Sequence, residues 1–229
     1  MLIHLKDINK IFQLDEDLTF QALKDINLSI DKGEFVAIVG PSGSGKSTLM
    51  NILGLLDRPS SGEYDLEGHN VAQLSNNHLA ELRNKKIGFV FQSFNLLPRT
   101  SAVDNVSLPL IYSGVPAIER IQRAKKALDA VGLSDKYNSR PNQLSGGQQQ
   151  RVAIARAIVT NPDIIFADEP TGNLDSRSGA EAMALLQKLH DEGKTVILIT
   201  HDSITAAHAK RIIRVKDGEI TMEKGKDTK

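Results

Sequence analysis

The strongest chemical signal in the chain is the run GPSGSGKST at 40–48. Gly40, Gly45, Lys46 and Ser47 fit the spacing G-x-x-x-x-G-K-[ST], with Pro41, Ser42, Gly43 and Ser44 filling the loop and Thr48 following it. Glycines let the backbone curl so that successive amide N–H groups turn inward towards phosphate oxygens, and the N-terminus of the helical stretch TLMNILGLL adds its partial positive charge. Lys46 supplies a full charge to the β- and γ-phosphates, and the Ser47 hydroxyl is a ligand for Mg²⁺. A second cluster lies at IIFADEP, 164–170, where an apolar strand ends in two adjacent carboxylates. There Asp168 is placed to hold the metal shell and Glu169 to face the water that attacks phosphorus. No N-K-x-D element reads guanine: Asn9-Lys10 is followed by Ile11 and Phe12, and Asn84-Lys85 by Lys86 and Ile87. ATP is therefore the expected nucleotide.

These residues need a scaffold, and the hydrophobic pattern supplies one. FVAIV at 35–39 and VILI at 196–199 are apolar on both faces, as buried parallel strands are. Earlier strands are expected at LIHLKDI and ALKDINLSI. Further ones fall around GEYDLEG and IGFVF, with the short helix NNHLAELRNKK between them. Residues 101–160 read as mainly helical, with Ile118, Ile121, Ala124, Leu128 and Val131 on one face of an amphipathic helix. DIIFAD, a helix over about 176–190, and TVILIT then alternate, and RIIRV and EITM are joined at Asp217-Gly218. Alternation of strand and helix predicts an α/β fold with a mainly parallel sheet.

Composition bounds the rest. The 229 residues contain 28 Lys plus Arg, 28 Asp plus Glu, and no cysteine. Disulfide scaffolds, zinc fingers and thiol nucleophiles are excluded, and binding to nucleic acid through bulk charge is not expected. No stretch approaches the roughly 18–20 apolar residues of a bilayer span, and no signal peptide is expected at MLIHLKDINK.

LSGGQ at 144–148, followed by the helix QQRVAIARAIVTNP, is the deciding element. With it the sequence resembles the nucleotide-binding subunits of ABC transporters over roughly residues 2–222. The resemblance implies a RecA-like core with an N-terminal antiparallel β-subdomain and an inserted α-helical signature subdomain at about 95–160. The whole of 1–229 then reads as one ATPase domain with a polar tail at about 223–229. It implies that Ser145, Gly146, Gly147 and Gln148 bind the γ-phosphate held by a second copy, and that Gln92 is the glutamine that approaches the metal and the attacking water. Asp175 in TGNLDS matches the loop along the dimer seam, and His201 matches the switch histidine at the γ-phosphate. Phe12 stands where the family stacks an aromatic on adenine, and its neighbours suggest a loop. Asp202 and His208 form no convincing metal site.

DEPTGNLDS, FVFQSFNLLP and SAVDNVSLPL resemble the branch that includes MacB-type exporters, lipoprotein-releasing LolD and the division protein FtsE. That resemblance implies ATP hydrolysis with Mg²⁺ by paired copies on the cytoplasmic face of the cell membrane. The partners are integral-membrane permease subunits, with an extracytoplasmic adaptor as an optional further partner and no nucleic acid. Export is the leading expectation, with lipoprotein release or signalling to cell-wall enzymes as alternatives, and a non-membrane ABC ATPase a remote one. The apolar segment NLLPRTSAVDNVSLPL, directly after Gln92, is the expected docking surface for a permease helix.

Overall fold

A computed structural model describes residues 1–15 and 18–225. Its elements run β1 (Ile3–Asp15), β2 (Leu18–Ile30), β3 (Phe35–Val39), α1 (Lys46–Leu53), β4 (Ser61–Leu66), β5 (His69–Asn70), α2 (Asn76–Lys86) and β6 (Ile87–Phe91). They continue with α3 (Ala102–Tyr112), α4 (Ala117–Ala130), α5 (Gly146–Ile158), β7 (Ile164–Asp168), α6 (Ser176–Asp191), β8 (Thr195–Thr200), α7 (Ser203–Ala206), β9 (Arg211–Lys216) and β10 (Glu219–Lys224). Two compact units result, Met1–Ala80 with Thr195–Lys229, and Glu81–Lys194.

In the first unit β3 lies parallel to both β8 and β9, and β10 pairs antiparallel with β9. Phe35 to Ile38 and Val196 to Ile199 are buried throughout, as strands covered on both faces must be. A separate antiparallel sheet has the order β2-β1-β4-β5. Ile3, Leu5 and Ile8 of β1 face Leu23, Ile26, Leu28 and Ile30 of β2 in its core. Asp7 and Asp25, with φ of 52° and 44°, mark irregularities in that pairing. Asn27 Oδ1 accepts from the Asp7 amide at 3.0 Å, and Asn9 Oδ1 accepts from the Asp25 amide at 3.1 Å, so side chains replace ladder bonds there. The hairpin runs beyond the expected strands, and Phe12 lies inside β1 opposite Phe20 rather than in a loop.

The β9–β10 turn has φ of 51° at Asp217 and 82° at Gly218, the paired positive values that suit the twist of a two-residue hairpin. Glu223 and Lys224 of the expected tail belong to β10, and residues 226–229 lie outside the described residues.

In the second unit β6 and β7 pair in parallel, from Ile87 opposite Ile164 to Phe91 opposite Asp168. Helix α5 comes very close to β6: a Cβ on Gly88 would stand 2.3 Å from the Ala157 carbonyl oxygen. Asn105, wholly buried, accepts from the Leu97 amide at 2.7 Å and donates to Thr100 Oγ1 at 2.7 Å and to the Ser101 carbonyl at 2.9 Å. One side chain thus shapes the segment between Gln92 and α3. In α4 the buried face is Ala124, Ala127 and Leu128, continued by Val131, whereas Ile118 is 79% exposed. The buried stripe therefore begins at Ala124 and leaves Ile118, in the first turn of α4, outside it. Among the described residues no helix is long and apolar enough to cross a membrane.

Candidate functional site

The phosphate loop follows β3 and opens α1. Gly45 caps the helix in the left-handed region, φ 102°, and a Cβ there would meet the Ala22 carbonyl oxygen at 2.7 Å. Gly40 is confined from another side, since its Cβ would stand 2.1 Å from the Val215 carbonyl oxygen. The β9–β10 turn braces the loop: Gly218 donates its amide to the Ser44 carbonyl at 3.0 Å and accepts from the Lys24 amide at 2.8 Å. The loop is therefore held by β2, β9 and the turn after β9, all in the first unit.

Lys46 is buried, and its Nζ donates to the Gly40 and Pro41 carbonyls at 2.8 Å each. Those bonds fold the ammonium back onto the backbone of its own loop. Ser44 Oγ is buried with no hydrogen-bond partner, a polar atom facing the interior of the same turn. Ser47 is exposed at the first turn of α1. His201 is exposed directly after β8, and Asp202 beside it caps α7 through bonds from the Ile204 and Thr205 amides. Bonds from the Thr205 hydroxyl and amide hold the Asp202 carboxyl below the usual carboxylate range. Phe12 is half-buried, with Lys10 Nζ 4.8 Å above its ring.

The remaining expected site residues lie in the second unit. Because Phe91 and Asp168 are register partners, Gln92 and Glu169 leave neighbouring strands at the same edge. Glu169 has φ 43°, which strains a non-glycine residue, most of all before a proline. The Gly172 amide donates to its carbonyl at 3.0 Å, and Gln150 Nε2 donates to the carbonyl of Pro170 at 2.7 Å. Asn173 Nδ2 donates to the Gln92 carbonyl at 3.0 Å.

Ser145 is the N-cap of α5. Its Oγ accepts from the Gln148 amide at 3.2 Å while the Ser145 amide donates to Gln148 Oε1 at 2.9 Å. The Gln148 side chain is thus turned back onto the helix start, and the amides of Gly146 and Gly147 open the first turn. Gly147 also has a packing reason, since a Cβ there would stand 2.6 Å from Ser178 Oγ. Gly146 has more room, its nearest neighbour being Leu174 Cδ2 at 3.6 Å. Asp175 caps α6, accepting from the Ser178 amide at 2.9 Å and its hydroxyl at 2.8 Å, which lowers its pKa.

The oxygen donors expected for Mg²⁺ are a hydroxyl, one carboxylate and an amide oxygen, from Ser47, Asp168 and Gln92. No group of three or more His, Cys, Asp or Glu able to hold a metal occurs among the described residues. Each of these oxygens, the hydroxyl in the first unit and the carboxylate and amide in the second, is of the hard donor type that Mg²⁺ takes. Gln150, Asn173 and Gly218 support the site from within the motif neighbourhoods, yet no motif position announces them. The sequence signal for Gln150 is an amide on the stripe of α5 that also carries Ala153, Ile154 and Ala157.

The family model for the ABC transporter matches residues 23–172. The chain belongs to the ABC transporter family. As such an ATP-binding ATPase cassette, it is 57% identical over 99% of its length to the pyoverdine export ATP-binding/permease protein PvdT of Pseudomonas aeruginosa, covering 34% of that protein. Its identity is 53% to an uncharacterized ABC transporter ATP-binding protein of Thermotoga maritima, with 96% of this chain and 93% of that protein covered. Among solved structures, the dimeric post-hydrolysis state of the ATP-binding cassette MJ0796 bound to ADP and Pi superposes with a TM-score of 0.90 at 47% identity, over 100% of both chains. The cassette thus spans about a third (34%) of the length of PvdT and nearly all of the Thermotoga protein.

Proposed function

We propose that this cassette hydrolyses ATP with Mg²⁺ as one of two copies on the cytoplasmic face of the cell membrane, driving permease subunits in export. The observation that carries this reading is a braced phosphate loop and a strand end bearing Asp168 and Glu169 in a chain 57% identical to an export ATP-binding/permease protein. The MJ0796 cassette, a dimer bound to ADP and Pi, supports both the pairing and the nucleotide. Leu97, Ile111 and Tyr112, exposed on or near α3, offer apolar surface to a permease helix, with an extracytoplasmic adaptor as a further partner of the assembly.

In this reading adenine stacks on Phe12, and the phosphates enter the amides of Gly40 to Thr48. Lys46 exchanges its loop carbonyls for the β- and γ-phosphates. Ser47, Asp168 and Gln92 would hold Mg²⁺, which would supply positive charge to neutralise the phosphates. Gln92 and Glu169 orient a water at the γ-phosphorus, and His201 donates to a γ-oxygen. A water O–P bond forms as the bond from phosphorus to the β,γ-bridging oxygen breaks. Glu169 takes the water's proton, and ADP leaves with the bridging oxygen. The Ser145 hydroxyl and the Gly146 and Gly147 amides face the γ-phosphate bound by a second copy, with Gln148 maintaining their helix start and Asp175 lining the seam. Loss of that phosphate removes the charge-assisted bridge between copies, and they separate.

Glu169→Gln tests this directly. The variant binds ATP, loses about 100-fold or more of its turnover, and elutes as an ATP-dependent dimer. Wild-type hydrolysis by this variant overturns the assignment.

A further inference from the structure

The left-handed turn at Glu169 is held from behind by a residue that touches no substrate in the cycle above. Gln150 is wholly buried in the second turn of α5, and its Nε2 donates to the Pro170 carbonyl at 2.7 Å. Its Oε1 is buried with no hydrogen-bond partner. An amide with one satisfied and one orphaned end is a poor core filler, because a methionine would occupy the same volume without desolvating an acceptor. Only the donor end accounts for it. That donor meets the carbonyl of Pro170, the residue next to Glu169 with its φ of 43°, and strain of this kind persists only where the surroundings over-determine it.

The same helix begins at Ser145, five positions earlier, with the reciprocal Ser145–Gln148 cap. A single α-helix therefore carries the signature amides at its start and grips the Glu169 turn one turn further on. We propose that Gln150 is a positioning residue for Glu169: its amide ties the carboxylate-bearing turn to the signature helix, so that the seating of that helix sets the aim of the Glu169 carboxyl. The inference rests on the role given to Glu169 above.

Two substitutions test it through ATP turnover at saturating Mg²⁺. Gln150→Met keeps length and volume but has no donor. It lowers kcat about tenfold or more while the KM for ATP stays within about twofold, as expected when a reacting group is misaimed rather than binding lost. Gln150→Glu restores a donor only when its carboxyl is protonated. Its kcat relative to wild type therefore exceeds that of Gln150→Met at low pH and declines towards it as pH rises, or stays high throughout if burial keeps the carboxyl protonated. Unchanged kcat in Gln150→Met overturns the proposal, as does a Gln150→Glu rate that matches Gln150→Met at every pH. Should Gln150→Met fail to fold, the Gln150→Glu rate alone decides: a kcat within about twofold of wild type at low pH upholds the proposal, and a kcat about tenfold or more below wild type at every pH overturns it. Glu169→Gln, assayed beside them, separates the two ideas: if it hydrolyses ATP like wild type, the reading of Glu169 fails whatever Gln150 does.

Discussion

Asn173 grips Gln92 with both ends of its amide, Nδ2 donating to the Gln92 backbone carbonyl at 3.0 Å and Oδ1 accepting from the Gln92 side-chain amide at 3.5 Å. Gly172 leaves room for this, since a Cβ there would lie 2.7 Å from Gln92 Nε2. The segment that ends in Asp175 is thereby linked to the end of β6. Asn173→Ala releases the Gln92 side chain, and because exposed neutral hydrogen bonds are worth about 0.5–1.5 kcal/mol, kcat falls about two- to tenfold. Steady-state ATPase assays check this, with the KM for ATP little changed. An unaltered kcat would show that Gln92 needs no such clamp.

Gly147 and Gly146 separate packing from phosphate recognition. Gly147→Ala drives a Cβ to within 2.8 Å of Ser178 Cβ, overpacking that costs about 1–3 kcal/mol. Gly146→Ala meets only an ordinary contact and leaves stability unchanged. Denaturant melts of both, and of Gly147→Ala combined with Ser178→Gly, provide the check. The double variant is less destabilised than the sum of its singles by about 1 kcal/mol, as contacting sites allow.

What could be read from the chain depended on how local each cause is. The phosphate loop, the signature and the acidic strand end carry their chemistry in consecutive residues, and β3 and β8 are apolar on both faces, so their burial needs no partner to be inferred. Ile118 failed because helical period says which side is apolar but not where the covering helices end. The outer hairpin of β1 and β2 failed for a related reason: Ile11, Leu14, Leu18 and Phe20 are all exposed there, so no buried face announces the strand. Gln150, Asn173 and Gly218 act on backbone groups far away in the chain, Asn173 across 81 positions. Such pairings become visible only when the fold brings the partners together.

Two helix caps give the protein an acid-sensitive contribution to stability. The Asp175 carboxyl is lowered chiefly by the Ser178 amide and hydroxyl, and that of Asp202 by the Thr205 hydroxyl and amide. A carboxyl whose folded pKa lies below its unfolded value of about 3.9 stabilises the fold above that value, and the contribution is lost as pH falls through the folded pKa. Asp175→Ala therefore has a lower Tm than wild type at pH 7, and the gap narrows below about pH 4. Thermal melts from pH 7 to pH 3 measure it, and a gap that is constant across the range would rule out the ionised cap.

Lys46 is where charge balance and site chemistry meet most directly. Its buried ammonium is held by the Gly40 and Pro41 carbonyls at 2.8 Å, neutral acceptors that cannot cancel a full charge. The desolvated cation is thus kept ready for a stronger acceptor, and phosphate oxygens are the acceptors the loop is shaped to admit. Lys46→Met retains the stem that packs in the loop and removes the charge. Charged hydrogen bonds are worth about 1.5–3 kcal/mol, so ATP affinity falls about 10- to 150-fold. AMP has neither the β- nor the γ-phosphate that Lys46 is assigned to bind, so its affinity changes far less than that of ATP. Equilibrium titration with ATP, ADP and AMP reads the difference. Equal losses for all three nucleotides would mean that Lys46 supports the shape of the loop rather than binding the outer phosphates.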